Sequence, residues 1–202
     1  MKEESIMRIV IMADGKATRW KNYQGMPKHL VEVENEAIIS RIIRLIKKID
    51  STHDIIITSH NSDYEFSDCK RHEPISNVLE IDRFTEELIV DDMCFLYGDT
   101  YYTEQALETI INSSVEETYF FGNGKSIVGI RITDGAEFKR HKNYVKQEFL
   151  SEKILNCKGW QVYQSYTNQN LLDVPKIKER FILIEDKTAD ISVSASFVYK
   201  SE

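Results

Sequence analysis

Residues 11–33 (IMADGKATRWKNYQGMPKHLVEV) gather the side chains of this chain that are best suited to chemistry. Ala13 and Gly15 follow a short apolar run, and residues that small let backbone N–H groups approach a phosphate closely. Arg19 offers a planar fork to phosphate oxygens, and Lys28, fixed behind Pro27, adds a compact point charge. Two such cations suit the charge that develops on a departing pyrophosphate. A second place, Leu96-Tyr97-Gly98-Asp99-Thr100, ends an apolar run in a carboxylate able to hold a hard cation. On these residues alone, an ordinary strand-to-helix turn with solvated Arg and Lys, and a plain strand-ending turn at Gly98-Asp99, stand as the alternatives.

Other features carry less. Gly122-Asn123-Gly124-Lys125-Ser126 ends like a phosphate-binding loop, but that motif needs glycine where Tyr119 stands, and a hairpin turn accounts for the glycines. The histidines, 29, 53, 60, 72 and 141, show no metalloprotease spacing and read as surface or packing residues. Three cysteines, 69, 94 and 157, are odd in number and far apart, with no CxxC pair, which suits a reducing cytosol and neither a disulfide framework nor zinc. A net charge of −7 speaks against a nucleic-acid partner. Neither an export signal nor an apolar stretch of the ~20 residues needed to span a bilayer is visible, so a cytoplasmic protein without a membrane partner is expected.

These groups need elements to position them. The run 9–12 is short and β-branched and opens into turn chemistry at Asp14 and Gly15, as a buried strand does. Ile38, Ile39, Ile42, Ile43, Leu45, Ile46 and Ile49 recur at helical spacing and predict about three turns. DIIIT at 54–58 and MCFLY at 93–97 read as further parallel core strands. Thr103 is a candidate N-cap for a helix through Leu107, Ile110 and Ile111. The runs 118–121 and 126–132 form an antiparallel hairpin. A Lys-rich helical stretch over 136–155, an alternating and therefore extended run near 160–166, and a last apolar run at 181–184 follow. Residues 168–179, polar and containing Pro175, read as a surface loop or flap. Together they predict a single domain over residues 1–202. Its class is α/β, a Rossmann-like open mixed sheet, mostly parallel with an antiparallel addition and helices on both faces, whose ligands sit at the carboxyl ends of the strands.

The 11–33 stretch resembles the signature of the sugar nucleotidyltransferases, including the related cytidylyltransferases. Their glycine-rich loop, Thr-Arg pair and Pro-Lys pair are matched by Ala13, Gly15, Thr18, Arg19, Pro27 and Lys28. The resemblance implies nucleotide binding by Met12, Ala13, Asp14, Gly15, Thr18 and Arg19, catalytic roles for Arg19 and Lys28 on the reacting phosphates, and a base contact from Thr85. It makes Asp99 a ligand of Mg²⁺. The segment Asp190-Ile191-Ser192-Val193 resembles a late family segment whose acid completes the metal site, which points to Asp190, with Asp186 as competitor. The implied reaction moves a nucleoside monophosphate from a triphosphate to a phosphorylated small molecule, a sugar 1-phosphate, phospho-polyol or phosphocholine, with release of pyrophosphate. The short chain favours CTP, and a homo-oligomer is compatible with this reading. Two departures stand out: the family usually has alanine at Asp14 and glycine at Ala17. A carboxylate beside a triphosphate is repulsive unless it points away or meets a cation. A catalytically silent nucleotide- or sugar-binding regulatory module of the same fold is therefore the alternative.

Overall fold

A computed structural model describes residues 6–15 and 27–190, and of Asp190 the backbone alone. In chain order the strands are β1 (Arg8–Met12), β2 (Glu32–Val33), β3 (Glu36–Ala37), β4 (Asp54–Thr58), β5 (Lys70–His72), β6 (Met93–Tyr97), β7 (Thr100–Tyr101), β8 (Tyr119–Gly122), β9 (Ile127–Ile132), β10 (Phe181–Leu183) and β11 (Ala189–Asp190). The helices are α1 (Ile38–Ile49), α2 (Glu104–Asn112), α3 (Gly135–Leu150) and α4 (Gly159–Tyr166).

Seven of the described strands form one sheet in the order β10-β8-β9-β6-β1-β4-β5. β1 runs parallel to both β4 and β6, and β4 parallel to β5. β9 is antiparallel to β6 and to β8, while β10 is parallel to β8. This is the expected mixed sheet. Side chains alternate across it: Ile9, Ile11, Ile55, Ile57, Cys94 and Leu96 face α1 and α2, in one apolar cluster. Val10, Met12, Ile56, Met93 and Phe95 face the other way, into a second cluster with Phe138 of α3 and Tyr163 of α4. Covering on both faces explains why these strands are continuous apolar runs.

Local chemistry sets the ends of the elements. The Thr103 side chain accepts from the Ala106 backbone and caps α2, as its type predicts. Lys47 and Lys48 lie in the last turn of α1, where cations complement the helix dipole. The β2–β3 turn places both Glu34 (φ 55°) and Asn35 (φ 63°) in the left-handed region, as a two-residue hairpin loop requires. A Cβ on Gly122 would lie 2.1 Å from the Ser126 carbonyl oxygen, so this glycine serves the β8–β9 hairpin.

The structure corrects one expectation and adds five strands, β2, β3, β5, β7 and β11. Residues 160–166 are helical, because Val162, Tyr163 and Tyr166 are buried at positions i, i+1 and i+4, a helical stripe that a seven-residue alternation imitates. β5 is a polar edge strand and the β7–β11 ribbon strands span two residues each, so neither has an apolar signature in the sequence. The loop 168–179 is tied down by paired bonds between Gln169 and the Lys176 backbone, 2.9 Å each way. Among the described residues no helix is long and apolar enough to cross a membrane.

Candidate functional site

β1 and β6 are neighbours with Met12 opposite Tyr97, so the segments that leave them, 13–15 and 98–99, emerge side by side. The Gly98 N–H donates to the Met12 carbonyl at 3.0 Å. A Cβ on Gly98 would lie 2.9 Å from the Met12 oxygen and 3.3 Å from both Ala13 Cβ and His29 Cδ2. Glycine there lets three segments close on one point. The closure brings Lys28, in the 3₁₀ turn Lys28–Leu30, onto Asp99, with Nζ 2.7 Å from Oδ2.

Burial alone would push the Asp99 carboxyl up, but the charge and hydrogen bond of Lys28, with smaller help from His29 and Arg83, hold it below the usual carboxylate range. Asp99 is therefore ionised at neutral pH and partly open, with 27% of its side chain exposed. His29 is driven the other way: burial lowers it to about 4 despite the nearby Asp99 carboxylate, and Lys28 and Arg83 add to the lowering. It is a neutral imidazole, with Nδ1 2.9 Å from the Tyr64 hydroxyl, and it packs edge-on against that ring. His29 is a floor beneath the charged pair.

Met12, Ala13, Asp14 and Gly15 surround the same point. Ala13 N–H donates to the Thr58 carbonyl at 3.1 Å, which ties the loop to the end of β4. Among the described residues nothing lies within 4 Å of the position a Cβ on Gly15 would take. The Asp14 carboxylate is heavily bonded. Oδ1 accepts from the His60 N–H at 2.9 Å, while Oδ2 lies 2.7 Å from His60 Nδ1 and accepts from the Asn77 amide at 2.7 Å. That amide also donates to the Asp14 carbonyl at 2.7 Å. The repulsive carboxylate of the sequence reading thus meets donors from two other segments.

Thr18 and Arg19, with Lys16, Ala17 and Trp20, lie outside the described residues. β11 pairs with β7 so that Asp190 sits opposite Thr100, next to Asp99 along the chain. Its competitor Asp186 is engaged elsewhere, accepting from the Thr103 hydroxyl and, at 2.7 Å, from the Thr188 N–H. Thr85 is buried, with its hydroxyl donating to the Arg83 carbonyl at 3.4 Å. Arg83, whose guanidinium stacks 5.6 Å above the Tyr97 ring, and the Asp14 partner Asn77 are marked by no motif, while His60, expected as a surface or packing residue, is the other Asp14 partner. Only the cationic type of Arg83 could have drawn notice. The Asp99 carboxylate is of a type that could hold Mg²⁺, which takes one or two carboxylates and completes its shell with phosphate and water. Among the described residues no three acids, histidines or cysteines form a closed metal cage, which such a site does not need.

No protein-family profile matches this chain, and no curated protein sequence does. Solved structures match over nearly its whole length. A 4-diphosphocytidyl-2C-methyl-D-erythritol synthase from Anaerococcus prevotii aligns with a TM-score of 0.61 at 10% identity, covering 96% of each chain. The CTP:phosphocholine cytidylyltransferase of Streptococcus pneumoniae aligns at 0.55 and 13% identity, again over 96% of each. The fold is that of the nucleotidyltransferases. A protein described as a glucose-1-phosphate thymidylyltransferase, from Bacillus anthracis, aligns at 0.56 and 14% identity over 92% of this chain and 89% of its own. In this chain's nucleotidyltransferase fold, loop 13–15 and the Lys28–Asp99 pair share the carboxyl end of the parallel strands, where open α/β sheets bind ligands.

Proposed function

We propose that this chain is a Mg²⁺-dependent nucleotidyltransferase, a single domain of the cytoplasm, that joins a nucleoside monophosphate from a triphosphate to a phosphorylated small molecule and releases pyrophosphate. The observation that carries the reading is the Lys28–Asp99 pair at 2.7 Å beneath a small-residue loop at the carboxyl ends of β1 and β6. A buried Lys–Asp pair is a weak source of stability, but a pair that can separate around a metal-bound triphosphate lets each member meet an opposite charge of the ligand. Lys28 would then meet phosphate oxygens and Asp99 the cation.

In this reading Gly15 and its neighbours present backbone N–H groups to the phosphates, and Arg19 and Lys28 balance charge on the α-phosphate and the leaving pyrophosphate. Asp99 and Asp190 would hold the Mg²⁺; Asp186 is disfavoured by its engagement with Thr103 and Thr188. The bound ion would supply Lewis-acid polarisation of phosphate oxygens. The acceptor is already an anionic phosphate oxygen, so no general base is required, and His29, neutral and buried, is spared that role. Arg83, held over Tyr97 two residues before Asp99, is a candidate cation for the acceptor phosphate. CTP is the nucleotide we favour, and the acceptor is a sugar 1-phosphate, phospho-polyol or phosphocholine. Pyrophosphate release from four nucleoside triphosphates against a panel of these acceptors tests the proposal. Release with one pairing supports it, and nucleotide binding without release would identify a regulatory module instead.

A further inference from the structure

Asp14 is the residue at which this chain departs most from the nucleotidyltransferase signature, and among the described residues of the loop it is the most heavily bonded. Its carboxylate binds His60, in the segment after β4, and Asn77, in the segment after β5. The Asn77 amide bonds both the carbonyl and the carboxylate of Asp14, so it grips main chain and side chain together. Only 13% of the Asp14 side chain is exposed. The negative charge is therefore turned into the protein and met by donors.

Taking this loop as the nucleotide site, as proposed above, we infer that Asp14 is a positioning residue: with His60 and Asn77 it latches the phosphate-binding loop to the exits of β4 and β5 in the shape that receives the triphosphate. A loop that binds an anion through backbone N–H groups must be held before the ligand arrives, or the ordering cost is subtracted from affinity. Glycine-rich loops reach that shape through conformational freedom. Here Ala17 stands where the signature has glycine, and three bonded segments supply the constraint instead. The direct repulsion between a unit charge and a phosphate 4 Å away is ~1 kcal/mol in water. Donors that bind the carboxylate offset it.

The opposite expectation follows from charge alone, under which Asp14→Ala should tighten binding. Calorimetric titration with each of four nucleoside triphosphates and Mg²⁺ separates the two. Asp14→Ala should weaken the binding seen with the wild type about tenfold. His60→Ala, at a half-exposed position where misfolding is not at issue, should weaken it severalfold, and His60→Asn, which keeps a donor near the Nδ1 position, should restore most of the loss. The double variant Asp14→Ala/His60→Ala should bind no more weakly than Asp14→Ala, because both act through one latch. In turnover the KM for the triphosphate should rise while kcat and the KM for the acceptor hold, a split that general destabilisation would not produce. Equal or tighter binding by Asp14→Ala overturns the inference and leaves the nucleotide site standing. A wild-type chain that binds none of the four triphosphates removes both.

Discussion

The two halves of the central sheet are built on different principles. In the half that begins at the antiparallel strand β9, where β8 and β10 follow, aromatic packing is prominent: Trp160 stacks on Phe181 at 5.6 Å, Phe120 meets Tyr163 edge-on at 5.2 Å, and His141 stacks on Tyr166 at 4.0 Å. In the parallel half, the carboxyl ends of β1, β4 and β6 are joined by polar ties, Lys28 to Asp99 and Asp14 to His60 and Asn77. Parallel strands bring all their carboxyl ends to one edge, so loops far apart in sequence converge there. Antiparallel neighbours send successive loops to opposite edges. Chemistry accumulates on the first side and packing on the second.

That division can be broken or sharpened by substitution. The largest effect should come from the polar side: Asp99→Asn and Lys28→Ala are each expected to lower pyrophosphate release by on the order of 10²-fold or more while the fold remains. Removal of Mg²⁺ by chelation should match Asp99→Asn. Near-normal turnover in a folded Lys28→Ala protein would remove the pair from the chemistry. On the packing side, Phe138 is fully buried against Phe84, Phe95 and Tyr166, and Phe138→Ala should cost about 3–5 kcal/mol in chemical denaturation. Triphosphate affinity of the folded fraction should stay within about twofold. A large affinity loss would show that the two halves are coupled.

A smaller effect lies in two histidines, the buried His29 and the partly buried His141, in each of which desolvation lowers the pKa to about 4. The unfolded chain takes up these protons near pH 6.5 while the native chain resists until about 4. Stability present above pH 6.5 is therefore lost as the pH falls toward 4. For His29 the loss should be on the order of 2 kcal/mol by pH 5. Urea denaturation at pH 7 and pH 5 should show it, and His29→Gln should reduce the difference by about that amount. An unchanged pH dependence in that variant would place the linkage elsewhere. The smallest effect is that of Asp186→Asn, which should cost about 1 kcal/mol of stability through the Thr103 cap and leave activity intact, whereas Asp190→Asn belongs with Asp99→Asn and should abolish Mg²⁺-dependent turnover. The reverse pattern would shift the metal site to Asp186.

Much of the fold is legible in short-range pattern. β4 and β6 coincide with the runs DIIIT and MCFLY, and α1 ends at Ile49, where its isoleucine stripe ends. Thr103 announces its own helix, and the glycines at 122 and 124 announce a hairpin. These features follow from burial on both sheet faces and from local backbone bonds, which sequence period and turn chemistry record directly. Residue types also nominated Lys28 and Asp99. Where the period is short or the burial one-sided, the record fails: 160–166 alternated like a strand and folded as a helix, and the polar edge strand β5 left no mark. The site itself belongs to tertiary structure. Lys28 and Asp99 are 71 residues apart, and Asp14 finds His60 and Asn77 at separations of 46 and 63. Composition named the groups, but only the parallel register of β1 with β4 and β6 carries their loops to one edge. That register decides that Asp14 meets donors and not a bare phosphate, because charge at a position is local while the partner that answers it is set by strand pairing.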